Sequence, residues 1–547
     1  MNVMRPAFAR RSLLALGCLL GITAAWLPHS GEAFVSRPVA RPAAKKSARP
    51  ARQTPQTDSK PTDSKLPASL QDLAEQIAKR PALASGRVGI QVVSVNTGKV
   101  LADVDSSKVF QPASNMKLYT TATALDKLGP DFRIRTSVYV PKLNPDGTVE
   151  GDLVLYGRGD PNLSDRFNEK KNDPTLTPLE TLADQVAAAG VKRIKGDLIG
   201  DESYFRAAPL GNGWEWNDLQ WYYGTQVSAL SAADNQIRLS LVAGARSGEP
   251  CPVTITPSTP IVSVNNRTLT YSGKGERKIG IHRGLADNVH DVWGGLPAGD
   301  KGATYTLAIH DPALFTASLF KQMLEKRGIV IEGTLRRVDA NYREQHPLDL
   351  NQVREVAFIT SPPLAEMIRV VNKYSQNLHA ELLLRQLGRQ FGPPDKDSDE
   401  AGCDVILDFL KRSGIDTSAL RFRDGSGLSR LDYISPEATV KLLIAMHRHP
   451  QAAIFLDSLP IAGVDGTLNG RMGKTKAENN LRAKTGTLDD VSSLSGYVTA
   501  SNGEILAFSI IMNNLTTDRS QGAAAGNTLG EALANYGSQA GAAAAQP

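Results

Sequence analysis

Two pairs of strand-like runs stand at opposite ends of the foldable part of the chain. Val88–Val95 and Lys99–Val104 flank Asn96-Thr97-Gly98, while Ser493–Ala500 and Ile505–Met512 flank Ser501-Asn502-Gly503. Short β-rich runs around Asn/Gly turns read as hairpins. Helical periodicities lie between them, at Leu364–Leu387, Cys403–Ser413 and Pro436–His449, with others outside at Leu70–Lys79 and Ala523–Tyr536. This order predicts one α/β domain whose sheet is complete only when the C-terminus returns to it. Its two segments are residues 67–132 and 346–536.

The middle reads differently. Ile134–Val140, Asp152–Tyr156, Asp197–Gly200, Gln236–Val242, Thr254–Thr256 and Thr304–Ile309 are strand-like runs among Gly, Pro and Asn turns. Helical patterns interrupt them only at Leu179–Ala189 and Pro312–Arg327. Residues 133–345 are therefore expected to form a mainly β insertion of two lobes, the inner one spanning about 206–305. With 41% hydrophobic residues, the chain has material for a large core, and disordered, collagen-like and disulfide-scaffold classes are excluded.

The N-terminal segment is a different polymer. Arg5, Arg10 and Arg11 precede an apolar stretch from Ser12 to Leu27, followed by the small residues Gly31 and Ala33. This is the layout of a secretory signal peptide over 1–33, with an uncleaved anchor as the alternative. Residues 34–66, rich in Pro, Ala, Lys and Arg, read as a disordered basic linker. Residues 537–547 read as a flexible tail. The first 66 residues hold eleven basic side chains against three acidic ones. That excess outweighs the +6 net charge of the whole chain, so residues 67–547 are slightly acidic and a nucleic-acid partner loses its support. The basic linker suits anionic lipid or an anionic cell-wall polymer, giving a peripheral membrane or cell-wall association, and a purely solvating role fits equally. After signal removal two cysteines remain, Cys251 and Cys403, and two give no disulfide framework.

Metal and nucleotide readings fail. The eight histidines show no HxxxH or HxxEH spacing. Gly473-Lys474-Thr475 lacks the glycine that a P-loop needs where Leu468 stands. No cofactor is expected. Three short motifs remain, in the order S-x-x-K, S-x-N, K-T-G. Ser114-Asn115-Met116-Lys117 enters a helical segment, where residues three apart share a face, so the Lys117 amine reaches the Ser114 hydroxyl. Serine is a weak nucleophile, and a desolvated lysine near other cations can serve as its base. Ser375-Gln376-Asn377 lies in a helical stretch. Lys484-Thr485-Gly486-Thr487 offers a cation and a hydroxyl for a carboxylate, with a glycine that lets backbone run close to a substrate. Each motif alone recurs by chance: Ser318–Lys321 is a second S-x-x-K, in an amphipathic segment that reads as core packing or helix surface, and Ser263–Asn265 a second S-x-N. The ordered set is far rarer and is the pattern of penicillin-recognising enzymes.

The surroundings extend the match. PASNMKLYTTATAL, GRGDPNLS, GDLIGDESYF, GNGWEWNDLQWYYG, SPPLAEMIRVVNKYSQNLHAELLLRQLG, DGSGLSRLDYISP, LPIAGVDGTLNGRM and AKTGTLDDVSSLSGYV resemble the penicillin-binding protein 4 type of D-alanyl-D-alanine carboxypeptidase/endopeptidase, the class C low-molecular-mass group. The resemblance runs from about residue 110 to 515. The 261 residues separating Ser114 from Ser375 also resemble this group, in which a β-rich insertion follows the nucleophile helix. It implies a β-lactamase/transpeptidase-like domain split by that insertion, a secreted enzyme of the periplasm or cell envelope, peptidoglycan stem peptides as substrate and β-lactams as covalent inhibitors.

By position, the resemblance makes Ser114 the nucleophile, Lys117 its base, Ser375 the proton relay and Asn377 the residue holding Lys117 and the substrate amide. Lys484 would supply positive potential, with Thr485, Gly486 and Thr487 at the substrate's terminal carboxylate. The oxyanion hole would be the N–H groups of Ser114 and Thr487. Asp201, Arg430 and Asp489 match places near the family's substrate pocket, an ion pair of Arg430 with Asp424 or Asp432 being the alternative. Ser-Gln-Asn stands where Ser-Asp-Asn is commoner. Two rivals share the scaffold: a β-lactamase, for which no Glu-based deacylation loop is visible, and a non-catalytic cell-wall-binding protein, which would need no nucleophile.

Overall fold

The computed structural model describes residues 69–168, 176–273, 275–516 and 520–538. The expected signal peptide, basic linker and most of the expected tail lie outside the described residues. Five antiparallel strands form the central sheet, in the order Arg482–Leu488, Val491–Thr499, Ile505–Asn513, Arg87–Ser94, Val100–Val104. The N-terminal strand therefore pairs with the last one, Arg87 opposite Asn513 and Ser94 opposite Leu506.

Both faces of this sheet are covered, and alternation along each strand shows it. Val88, Ile90, Val92, Phe508, Ile510 and Met512 pack under the helices Leu70–Ala78 and Ser520–Asn535. Val93, Tyr497, Ala507 and Ile511 face the larger helical core. That core is built by Met116–Leu128, Leu364–Lys373, Asn377–Phe391, Ser398–Arg412 and Pro436–His447. The single long helix expected over Leu364–Leu387 is broken: Lys373 ends one helix and Asn377 begins the next. At the break Ser375 adopts φ +57°, a left-handed conformation that non-glycine residues seldom take.

The insertion has a five-stranded sheet, ordered Leu335–Val338, Leu198–Asp201, Leu153–Tyr156, Arg135–Val140, Arg354–Thr360. Arg354–Thr360 pairs antiparallel with Arg135–Val140. The sheet thus extends to Thr360, beyond the expected boundary at 345, because the returning chain supplies its edge strand. Two three-stranded sheets lie within residues 236–308. One of them, Ser263–Tyr271 with Val289–Pro297 and Lys278–Arg283, has no counterpart in the strand-like runs of the sequence. Leu153 and Leu198 of the large sheet, Leu239 and Val292 share one continuous apolar core. Cys251 lies in that core and Cys403 in the helical one; both are free and buried.

Candidate active site

The insertion folds back onto the helical layer at the broken helix. Asp234, itself left-handed at φ +54°, accepts hydrogen bonds from Gln376 Nε2 (3.1 Å), His379 Nε2 (3.0 Å) and Arg166 Nε. The Arg166 and His379 partners hold its buried carboxyl well below the usual range, against a large opposing effect of burial. Gln376 also caps the following helix through its bond to the Leu378 N–H. The middle residue of Ser-Gln-Asn thus ties the motif to the insertion. Asn377 donates from Nδ2 to the Tyr223 carbonyl at 2.8 Å, a second tie to the insertion.

Ser114 sits in a single 3-10 turn, Ala113–Asn115, immediately before the Met116–Leu128 helix. Ala113 has φ +48°, and the turn is pinned by Ser493 Oγ donating to the Pro112 carbonyl (2.9 Å) and by Asn115 Nδ2 on Ser493 Oγ. Two glycines admit this close packing. A Cβ on Gly427 would lie 1.8 Å from the Ala113 carbonyl oxygen. One on Gly486 would lie 2.2 Å from Ser493 Oγ and 3.0 Å from Ser114 N. The third motif's glycine therefore brings its strand against the Ser114 turn itself.

The three motifs converge. Lys117 Nζ donates to Ser114 Oγ at 2.9 Å, to Asn377 Oδ1 at 2.6 Å and to the Ser426 carbonyl at 2.6 Å. Lys117 is fully buried, and desolvation brings its pKa down from 10.5 to about 7 despite the opposing charges of Asp424, Glu381 and Asp432. Lys484 Nζ donates to Ser375 Oγ at 2.9 Å and to the Thr485 carbonyl at 2.8 Å. Burial, and secondly repulsion from Lys117, push its pKa well below the ordinary lysine value. Lys484 to Thr487 form part of the sheet's edge strand. Thr487 is exposed and Thr485 Oγ1 donates to Thr467 Oγ1 at 2.7 Å.

The three outlying candidates divide. Asp201 is not brought to this cluster. It is fully buried, with Oδ2 accepting from Arg343 Nε at 2.7 Å and Oδ1 from the Ser203 N–H. Arg430 pairs with neither Asp424 nor Asp432. Its Nη2 meets Glu215 of the insertion at 3.1 Å, and its Nη1 donates to the Asp489 carbonyl at 2.9 Å. Arg430 and Asp489 thus join the insertion to the turn after the lysine strand. Ser318, the rival S-x-x-K serine, is buried and bonded to Thr259, away from the cluster.

The structure adds a residue that no motif predicted. Asp424, 1% exposed, accepts from the N–H groups of Ser426 (3.1 Å), Gly427 (2.6 Å) and Ser429 (2.8 Å). The Trp214 indole of the insertion donates to it as well, at 2.9 Å. Asp424 so shapes the turn that presents the Ser426 carbonyl to Lys117. Its sequence signals were the Asx-type turn run Asp424-Gly425-Ser426-Gly427 and its place at the head of the DGSGLSRLDYISP stretch.

Residues 69–536 match the model of the D-Ala-D-Ala carboxypeptidase 3 (S13) family. The chain belongs to that family. Its members are serine DD-carboxypeptidases, and this chain is such a hydrolase. It is 34% identical over 454 residues to the D-alanyl-D-alanine carboxypeptidase of Actinomadura sp. (strain R39), covering 81% of each chain. It is 26% identical to D-alanyl-D-alanine carboxypeptidase DacB of Haemophilus influenzae, over 79% of this chain and 86% of the relative. The crystal structure of penicillin-binding protein 4 from H. influenzae superposes with a TM-score of 0.72 at 24% identity, over 85% of this chain and 99% of the other. The split β-lactamase/transpeptidase-like α/β fold expected from sequence is the fold observed. Among the described residues no helix is long and apolar enough to cross a membrane.

Proposed function

We propose that the chain hydrolyses the terminal D-Ala-D-Ala bond of peptidoglycan stem peptides, and meso-diaminopimelate cross-links between them, through an acyl-enzyme on Ser114. The observation that carries this reading is the buried Lys117 amine, its pKa near 7, 2.9 Å from the Ser114 hydroxyl. Neutral Lys117 takes the Ser114 proton as Oγ attacks the carbonyl carbon. The N–H groups of Ser114 and Thr487 receive the oxyanion. The C–N bond then breaks, and Ser375 passes a proton to the leaving amine. Water attacks the resulting ester with Lys117 again as base, and Ser114 regains its proton.

Lys484 and Thr487 take the substrate's carboxylate, and Thr485 acts beside them through its bond to Thr467. An anion beside Lys484 holds that lysine charged, and its charge in turn opposes a proton on Lys117. Substrate binding and readiness of the base are thereby linked. Asn377 orients Lys117 and accepts the substrate amide. Arg430 and Asp489 border the carboxylate end. Cleavage of peptidoglycan places the enzyme outside the cytoplasmic membrane, with the basic segment near Arg37–Lys65 as its tether to an anionic polymer or lipid.

Intact-protein mass spectrometry after brief exposure to benzylpenicillin tests the reading. The wild type should gain one antibiotic mass that persists for minutes, and Ser114→Ala should gain none. An unmodified wild type with antibiotic consumed would make it a β-lactamase instead. An unmodified wild type with antibiotic intact would leave a cell-wall binder.

A further inference from the structure

The turn Gly466–Leu468 lies outside all three motifs, yet it is held by the third motif and by the helix end just before the second. From the lysine strand, Thr485 Oγ1 donates to Thr467 Oγ1 at 2.7 Å. From the helix break, Lys373 Nζ donates to Asp465 Oδ2 at 2.6 Å and to the Leu459 carbonyl at 3.0 Å. Lys373 is 6% exposed and stands two residues before Ser375. Asp465 Oδ1 also accepts from the Ile461 N–H at 2.9 Å. Gly466, at φ +57°, lies so close that a Cβ would sit 2.5 Å from the Lys373 carbonyl oxygen. Thr467 is thus fixed where Ser-Gln-Asn and Lys-Thr-Gly meet.

A threonine hydroxyl has one proton and two acceptor positions. The Thr485 proton is committed to Thr467. The Thr467 proton has no acceptor among the described residues, and Thr467 is only half-buried. A hydroxyl that accepts one hydrogen bond becomes the stronger donor of the next. We propose that Thr467 is a specificity-determining residue of this site, donating its hydroxyl to the terminal carboxylate of the substrate as the last link of a Thr485–Thr467–carboxylate chain. A mere tie between loop and strand would use the Thr467 oxygen and leave its proton idle. The inference rests on the proposed DD-peptidase reading and assigns part of its carboxylate recognition to a loop outside the three short motifs.

The test compares wild type, Thr467→Val and Thr467→Ser in three measurements. These are kcat and KM on a D-Ala-D-Ala peptide, the acylation rate with anionic benzylpenicillin, and labelling of Ser114 by an uncharged phosphonofluoridate. Losing one hydrogen bond to a charged group should lower kcat/KM and benzylpenicillin acylation of Thr467→Val by about 10- to 100-fold, chiefly through KM. Phosphonofluoridate labelling should be unchanged, and Thr467→Ser should stay near wild type. No change in Thr467→Val, or an equal loss with the neutral reagent, would overturn the proposal while leaving the hydrolase reading intact. A wild type that the neutral reagent labels, yet which neither cleaves the peptide nor reacts with benzylpenicillin, would overturn that reading and this inference with it.

Discussion

Lys117 and Lys484 are both fully buried, and each donates to a serine hydroxyl at 2.9 Å. Their surroundings differ. Lys117, on the Met116–Leu128 helix, feels the carboxyl groups of Asp424, Glu381 and Asp432, and its other partners are the Asn377 amide oxygen and the Ser426 carbonyl. Lys484, on the edge strand, has no opposing carboxylate among the influences on its pKa; the charge it feels is that of Lys117. Burial lowers both pKa values, but only for Lys117 is the fall partly offset, leaving it near 7 where a base is most useful. Burial also raises the Glu381 carboxyl to about 8 and Asp432 well above its ordinary value, so near neutral pH both hold protons of their own and oppose the fall less than charged groups would. In the proposed mechanism the anion that Lys484 lacks is the carboxylate of the substrate.

Exchanging each lysine for alanine should separate these roles most widely. Lys117→Ala should lower kcat by about 10³-fold, within the range for loss of a general base, with KM little changed. Lys484→Ala should act mainly on KM and on benzylpenicillin acylation. Steady-state kinetics on a D-Ala-D-Ala peptide decide the matter, with circular dichroism checking the fold. Equal kcat losses with unchanged KM in both variants would erase the distinction.

Much of this arrangement was legible in the sequence, and what was hidden had physical reasons. Apolar and β-branched residues on both faces, with Asn/Gly turns, made the strands around 88–104 and 493–512 visible before their pairing was known. Ser114, Lys117 and Lys484 carry their chemistry in side chains at short spacing. The helix break at Ser375 was hidden because apolar periodicity runs straight through it, and a positive φ at serine leaves no compositional mark. Partners of Lys117 and Asn377 were hidden for a simpler reason: the Ser426 and Tyr223 oxygens are backbone groups. The strand Ser263–Tyr271 escaped because its buried positions, Thr268 and Thr270, are threonines, while Leu269 is 51% exposed. Its pattern carries no apolar alternation to read. Asp201 shows the opposite failure. A local match suggested a pocket residue, yet long-range folding gave it to Arg343.

The two lysine sites meet at Gly486, so the next largest effect should come from separating them there. A methyl group at 486 meets Ser493 Oγ at 2.2 Å, the Pro112 carbonyl at 2.8 Å and Ser114 N at 3.0 Å. The Pro112 carbonyl and Ser114 N belong to backbone, so the Ser114 turn or the strand must move. Overpacking of this kind costs about 1–3 kcal/mol. Gly486→Ala should therefore slow benzylpenicillin acylation by about 10- to 100-fold through misplacement of Ser114 against Lys484. A variant acylated at the wild-type rate would show that the contact between strand and turn does not govern reactivity.

The smallest and most discriminating effect concerns the carboxyl groups that Lys117 feels. In the proposed mechanism the neutral amine is the base, so acylation should rise with pH through about 7, the pKa of Lys117. Asp424 is the first of the charges opposing the drop in that pKa, and Asp424→Asn removes it. The Lys117 pKa should then fall further, and the acid limb of the acylation profile should move to lower pH, by up to about one unit for a loss of about 1.4 kcal/mol. Below pH 7 this works in the variant's favour. At high pH, where Lys117 is neutral in either protein, the electrostatic gain disappears. What remains there is looser placement of the Ser426 carbonyl, since an asparagine amide cannot reproduce all the bonds from Ser426, Gly427, Ser429 and Trp214. The plateau should accordingly fall by a few-fold while the limb shifts left. A limb that stays in place or moves to higher pH would show that Asp424 does not act on Lys117 through its charge. An unmoved plateau would show that charge is its whole contribution.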